Sequence, residues 1–144
     1  AIVEYLLDKY GEGRLRPAAG TPEYIEYLHW LHAAESTLMT PVLMNMIAGM
    51  SGVDNPAYNS FVHGEFETVL GYMEGVLANR EYIAGEFSAA DIMVAFPLMM
   101  LDSPLIPGPA GGDVLGSYAN IQAYLLRLRD RPMWLKAEAI FRPE

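Results

Sequence analysis

Apolar residues recur at helical spacing along almost the whole chain, and no stretch alternates between apolar and polar positions with a period of two. Residues three and four apart share one face of an α-helix, so this pattern predicts amphipathic helices joined by loops. Thr-Pro and Asn-Pro pairs mark the starts of two of them. We predict helices over residues 1–10, 21–50, 55–79, 88–101, 118–129 and 133–139. The predicted fold class is all-α, a helical bundle.

The clearest helix start in the chain lies between Tyr82 and Ile92. Ser88 stands at the N-cap and Asp91 at the third helical position, so each side chain is placed to bond the backbone N–H of the other. This arrangement is a capping box. Phe87 and Ile92 are placed to form a hydrophobic staple across the same helix start.

The helix that follows this start is apolar on all sides. Residues 92–101 carry no polar side chain, which predicts a helix that is buried on every side and that the rest of the bundle surrounds. Pro97 in its interior predicts a bend, because proline removes a backbone hydrogen bond. Residues 102–116 carry several proline and glycine residues and are predicted to be a loop.

Composition excludes several classes of function. The chain has 144 residues, no cysteine and a net charge of −9. Without cysteine there is no disulfide framework, thiol nucleophile or thiolate metal site within it. Without a basic stripe, neither nucleic acid nor an anionic membrane is an expected partner. The longest apolar run is about half of the roughly 20 residues that cross a bilayer.

Histidines and acids in the 21–50 helix raise two chemical possibilities. Glu26 and His29 have the Glu-x-x-His spacing of a di-iron bundle, with His32 one turn further on, but the second such motif is absent. His32, Glu35 and Ser36 are neighbours, as a nucleophilic triad requires. No nucleophile elbow accompanies them, and the N–H groups of a helix face are already bonded, so no oxyanion hole forms. We therefore expect no metal ligand and no catalytic residue here.

A strip on this helix mixes polar and soft apolar side chains. On a regular helical wheel it lies beside the core-facing stripe and consists of His32, Glu35, Ser36, Met39 and Leu43. Such a strip suits the wall of a small-molecule site, a protein interface or an ordinary boundary of the core. The residues alone leave these three alternatives open.

Taken in order, four segments resemble the C-terminal helical domain of glutathione S-transferases. Residues 82–92, with Pro97 beyond them, resemble the buried-helix signature of that family, including its capping box and staple. Residues 118–132 resemble the following pair of helices. Residues 1–11 resemble the helix that closes the family's thioredoxin-like domain. Residues 30–41 are most similar to the fungal and bacterial subgroup.

The resemblance implies that the two domains of such a protein have different roles. Members of the family bind glutathione and activate its thiol through a Tyr, Ser or Cys in the thioredoxin-like domain. Residues 1–11 would be the end of that domain's last helix, and residues 12–144 would be the C-terminal helical domain. We therefore expect this fragment to be inactive alone, with no cofactor, and glutathione to be the co-substrate of a longer protein.

The resemblance also implies a binding site and partners. A hydrophobic electrophile would lie against His32, Glu35, Ser36, Met39, Leu43 and Phe141. The protein would be a cytoplasmic homodimer that contacts its partner through the helices over 1–10 and 21–50. The alternative function is a non-enzymatic protein-interaction module with the same helical fold.

Overall fold

A computed structural model describes residues 1–52, 54–103 and 113–141. Seven α-helices and one π-helical turn account for most of these residues. Their bounds are α1 Ile2–Tyr10, α2 Pro22–Ala33, the π turn Ala34–Leu38, α3 Met39–Ser51, α4 Pro56–Leu77, α5 Ala89–Leu101, α6 Ala119–Arg129 and α7 Pro132–Phe141. The predicted all-α class is confirmed. Of the predicted loop at 102–116, residues 104–112 lie outside the described residues.

Helix starts follow the predicted signals. Thr21 caps α2, and its hydroxyl accepts from the backbone N–H of Tyr24. Asn55 caps α4, and its side-chain oxygen accepts from the N–H groups of Ala57 and Tyr58. In each case proline fills the first helical position, where no intrahelical partner is lost. No helix within the described residues is long and apolar enough to span a bilayer.

The capping box at α5 is confirmed, and it is part of a larger buried cluster. Asp91 is 0% exposed. Its Oδ2 accepts from the backbone N–H and the hydroxyl of Ser88, at 2.8 and 3.0 Å. Its Oδ1 accepts from the N–H of Ile83 at 2.9 Å and from the Tyr124 hydroxyl at 2.8 Å. One carboxylate thus joins the start of α5, the turn before it and α6.

The turn before α5 depends on one glycine. The N–H of Gly85 donates to the carbonyl of Tyr82 at 3.0 Å, and Gly85 has a φ of +98°. Residues other than glycine rarely adopt this backbone conformation. The turn holds the N–H of Ile83 where Asp91 accepts it.

The prediction that α5 is buried on every side is wrong. It packs against α2, the π turn, α3 and α6, and most of its residues are buried. Ile92 and Phe96, however, are 47% and 57% exposed on one face of it. Phe87, the residue predicted to form a staple with Ile92, packs against the Tyr82 ring and the Arg131 guanidinium. The guanidinium lies 3.4 Å from the centre of the Phe87 ring. The residues of a helix show how apolar each of its faces is, but they do not show whether another element covers that face.

Glu74 of α4 fixes the position of α6. Its carboxylate accepts from the backbone N–H groups of Asn120 and Ile121, at 2.9 and 3.0 Å. These N–H groups belong to the first turn of a helix, where no intrahelical carbonyl is available and an anion is favourable.

The predicted helix over 21–50 is interrupted by the π turn. Pro41 has no N–H, and its ring clashes with the carbonyl four residues earlier in a regular α-helix. The π turn avoids this by inserting an extra residue, with the Met39 N–H donating to the carbonyl of Ala34. The predicted irregularity at Pro41 therefore lies in the turn that precedes it.

Candidate functional site

A line of side chains along the outside of α2, the π turn and α3 forms the candidate site. His32, Glu35, Ser36 and Thr40 are exposed, and Leu43 is 40% exposed. We call these five residues the outer face. The Ser36 hydroxyl donates to the carbonyl of His32 at 2.9 Å, and the Thr40 hydroxyl donates to the carbonyl of Ser36 at 2.7 Å. The two hydroxyls thus continue one row of hydrogen bonds along the helix surface.

The structure places four of the six predicted site residues on this face: His32, Glu35, Ser36 and Leu43. Met39 lies elsewhere, because it is 6% exposed and belongs to the hydrophobic core. The extra residue of the π turn shifts the register after Ser36, so Thr40 takes the exposed position that the regular wheel gives to Met39, while Leu43 stays partly exposed. Phe141 ends α7, and its side chain is outside the described residues.

The apolar part of the same surface continues beyond the predicted strip. Ile47 and Met50 lie one and two turns after Leu43 and are 59% and 81% exposed. The sequence reasoning missed both of them, and it also missed Thr40. The sequence does carry a signal for these positions, because residues four apart lie on one helix face. This spacing joins His32, Ser36 and Thr40, and it joins Leu43 to Ile47.

The residues considered for a di-iron site and for a nucleophilic triad contact other groups in the structure. Glu26 forms an ion pair with Arg80 at 2.7 Å. His29 packs edge-on against the rings of Trp30 and Tyr72. Among the described residues, no group of three or more His, Asp or Glu side chains converges as a metal site. A nucleophilic serine requires a base such as an imidazole to take its proton. The Ser36 hydroxyl instead donates to the backbone carbonyl of His32.

Two cavities lie away from the outer face. One of about 790 Å³ lies between the segment after α1 and the end of α4, and Arg16, Arg80 and Phe87 are among its lining residues. The other, of about 260 Å³, is lined by residues that include His63, Glu67 and Tyr118. Burial raises the pKa of Tyr118 above its usual value of 10.0, and the nearby acids Glu67 and Glu74 add to this shift. None of the predicted site residues lines either cavity.

Comparisons with known proteins point to one family. No family model matches the chain. Glutathione S-transferase 3 of Schizosaccharomyces pombe is 29% identical over 148 residues, a match that covers 92% of this chain and 57% of that protein. The chain thus spans little more than half the length of this relative.

Solved structures agree with the sequence match. A glutathione S-transferase from Actinobacillus pleuropneumoniae is 27% identical with a TM-score of 0.78, over 95% of this chain and 60% of that one. The glutathione transferase URE2P6 of Phanerochaete chrysosporium, solved with oxidized glutathione, has a TM-score of 0.79 at 24% identity, over 95% and 62% of the two chains. The chain is thus similar in sequence and in fold to glutathione S-transferases, and its described residues form an all-helical fold.

Proposed function

We propose that this chain is the electrophile-binding half of a glutathione S-transferase that conjugates glutathione to hydrophobic electrophiles. The observation that carries the proposal is the outer face, which joins exposed polar groups around Ser36 to exposed apolar groups from Leu43 onward. The relative from S. pombe and the solved structures support membership of the family, and each is matched over only part of its length.

In the proposed reaction the residues of the outer face position the electrophile and take no part in forming the new bond. A thioredoxin-like domain of the full-length protein would hold glutathione and stabilise its thiolate. The electrophile would lie against Leu43 and the surface beside it, so that its reactive carbon is held next to the sulfur. Holding two reactants together removes much of the entropic cost of a bimolecular step. Met39 would support this wall from the core beneath it.

Two measurements test this function. We expect this chain alone to add nothing to the rate at which glutathione reacts with 1-chloro-2,4-dinitrobenzene, because the thiolate-stabilising residue belongs to the other domain. Substantial catalysis by the chain would contradict this division of roles. We also expect 1-chloro-2,4-dinitrobenzene to shift the amide NMR signals of residues 35–50.

A pair of variants makes the binding measurement specific. Leu43→Asp is expected to weaken binding of this electrophile about tenfold, since a charge replaces the apolar contact. Leu126→Asp is the matched control, because Leu126 is 61% exposed on α6 and lies outside the outer face. Equal weakening by the two substitutions would show that the ligand is not held by the outer face.

The proposal includes a cytoplasmic homodimer in which α1 and the α2–α3 region contact the partner subunit. Its support is the number of exposed apolar side chains on these helices, among them Ile2, Tyr5, Leu6 and Ile25. Sedimentation velocity of the chain at micromolar concentration is expected to show twice the monomer mass. A monomer at every concentration measured would contradict the assignment of this interface to the helical domain.

A further inference from the structure

We infer that the electrophile bound by the outer face carries a hydrogen-bond donor at one end and is apolar at the other. This inference rests on the proposed function, since it concerns the ligand of the same wall. It follows from where the hydroxyl protons of the wall are directed.

The hydroxyl protons of the π turn and the start of α3 are already engaged. Ser36 donates its proton to the carbonyl of His32, and Thr40 donates its proton to the carbonyl of Ser36. The hydroxyl oxygen of Thr37 lies 3.3 Å from the hydroxyl oxygen of Ser36. Because the single proton of Ser36 is directed to His32, Thr37 is the donor in that contact.

Three hydroxyl oxygens therefore offer lone pairs, rather than protons, to a ligand. The carboxylate of Glu35 is also an acceptor. A hydroxyl, amine or amide N–H of a ligand finds several acceptors at this end of the face. A carbonyl, nitro or ether oxygen finds no donor among these four side chains, and on the outer face only the imidazole of His32, one turn before Ser36, can donate to it.

A local hydrogen bond keeps the Thr40 proton directed inward. The Thr40 hydroxyl bonds the carbonyl of Ser36, four residues earlier, as hydroxyl side chains commonly do within a helix. If the hydroxyl rotated outward to donate to a ligand, it would give up this bond. The acceptor character of the surface thus depends on hydrogen bonds within the chain.

The other end of the wall selects for apolar groups. Leu43, Ile47 and Met50 are all exposed and have no polar side-chain atom to satisfy. At a rise of 1.5 Å per residue, Ser36 and Leu43 are about 10 Å apart along the helix. An elongated molecule with an aromatic or alkyl body and one terminal donor reaches both ends.

A matched pair of electrophiles tests this inference. The probes 4-hydroxychalcone and 4-methoxychalcone share the same reactive enone and differ in a single donor. With the ¹⁵N-labelled chain, we expect the hydroxy compound to bind about fivefold more tightly, as measured from the amide signals of residues 35–50. Thr40→Val removes one acceptor and should bring the ratio of the two affinities close to one.

Two further variants separate this role from a general effect on folding. Thr40→Ser keeps the hydroxyl and should preserve the fivefold preference. Thr68→Val is the matched control, since the exposed Thr68 on α4 donates to the carbonyl of Gly64 at 2.8 Å in the same way but lies away from the outer face. It should leave the preference unchanged.

The possible results distinguish the two proposals. If both compounds shift the signals of residues 35–50 with equal affinity, the inferred donor preference is wrong and the proposed wall stands. If neither compound shifts those signals, the proposed wall is wrong, and the inference fails with it.

Discussion

Replacing Asp91 with alanine is expected to lower the free energy of unfolding by about 4 kcal/mol. The substitution removes the shared acceptor of four buried hydrogen bonds. The N–H groups of Ile83 and Ser88 and the hydroxyl of Tyr124 are then left without this partner in the interior. A buried donor without a partner costs about 1–3 kcal/mol. Urea unfolding followed by circular dichroism measures the change.

Asp102 provides the matched control for this experiment at the opposite end of α5. Its carboxylate is 42% exposed and pairs with Arg129 at 2.7 Å. Surface ion pairs contribute little, so Asp102→Ala is expected to cost less than about 1 kcal/mol. If Asp91→Ala costs no more than this control, the four hydrogen bonds do not stabilise the protein as the geometry implies.

The contrast between the local and distant partners of Asp91 shows what sequence can predict. The partnership of Ser88 and Asp91 was predictable because a capping box is formed within one turn of backbone. Tyr124 is 33 residues further along the chain, and its bond to Asp91 depends on how α6 packs against α5. No local spacing contains that information. The helices themselves were predictable because their periodicity and caps are local.

The outer face also shows which positions a local pattern predicts and which depend on packing. His32 precedes the π turn and Ser36 lies in the middle of it, and both are exposed, as a regular wheel places them. Met39 follows it, and one extra residue is enough to turn this side chain into the core. Pro41 was visible in the sequence as an irregularity. Whether a proline bends a helix or enforces a π turn depends on the packing of the neighbouring helices, which the sequence pattern does not contain.

Tyr124→Phe isolates the bond that joins α5 to α6. Phenylalanine fills nearly the same volume but leaves Oδ1 of Asp91 with one donor fewer. A hydrogen bond to a charged group contributes about 1.5–3 kcal/mol, so we expect a loss of about 2 kcal/mol at pH 7. Urea unfolding of the two proteins at pH 7 gives this difference.

The same substitution should change how stability depends on pH in alkaline solution. Burial raises the pKa of Tyr124 well above its usual value of 10.0, and the charge of Asp91 and its hydrogen bond raise it further. The folded protein therefore favours the neutral phenol, whereas the unfolded chain ionises near pH 10. The stability due to Tyr124 is complete below pH 10 and is lost as the pH rises towards the folded pKa, by up to about 1.4 kcal/mol per pH unit.

The Phe variant lacks this alkaline loss, so its free energy of unfolding should fall less steeply above pH 10. The difference in stability between the two proteins should therefore shrink as the pH rises. Tyr27 and Tyr118, whose pKa values burial also raises, are present in both proteins and cancel. Urea unfolding at a series of pH values above 10 measures the two slopes. Parallel curves in this range would contradict the buried Tyr124–Asp91 bond, because an exposed phenol would ionise equally in the folded and unfolded chains.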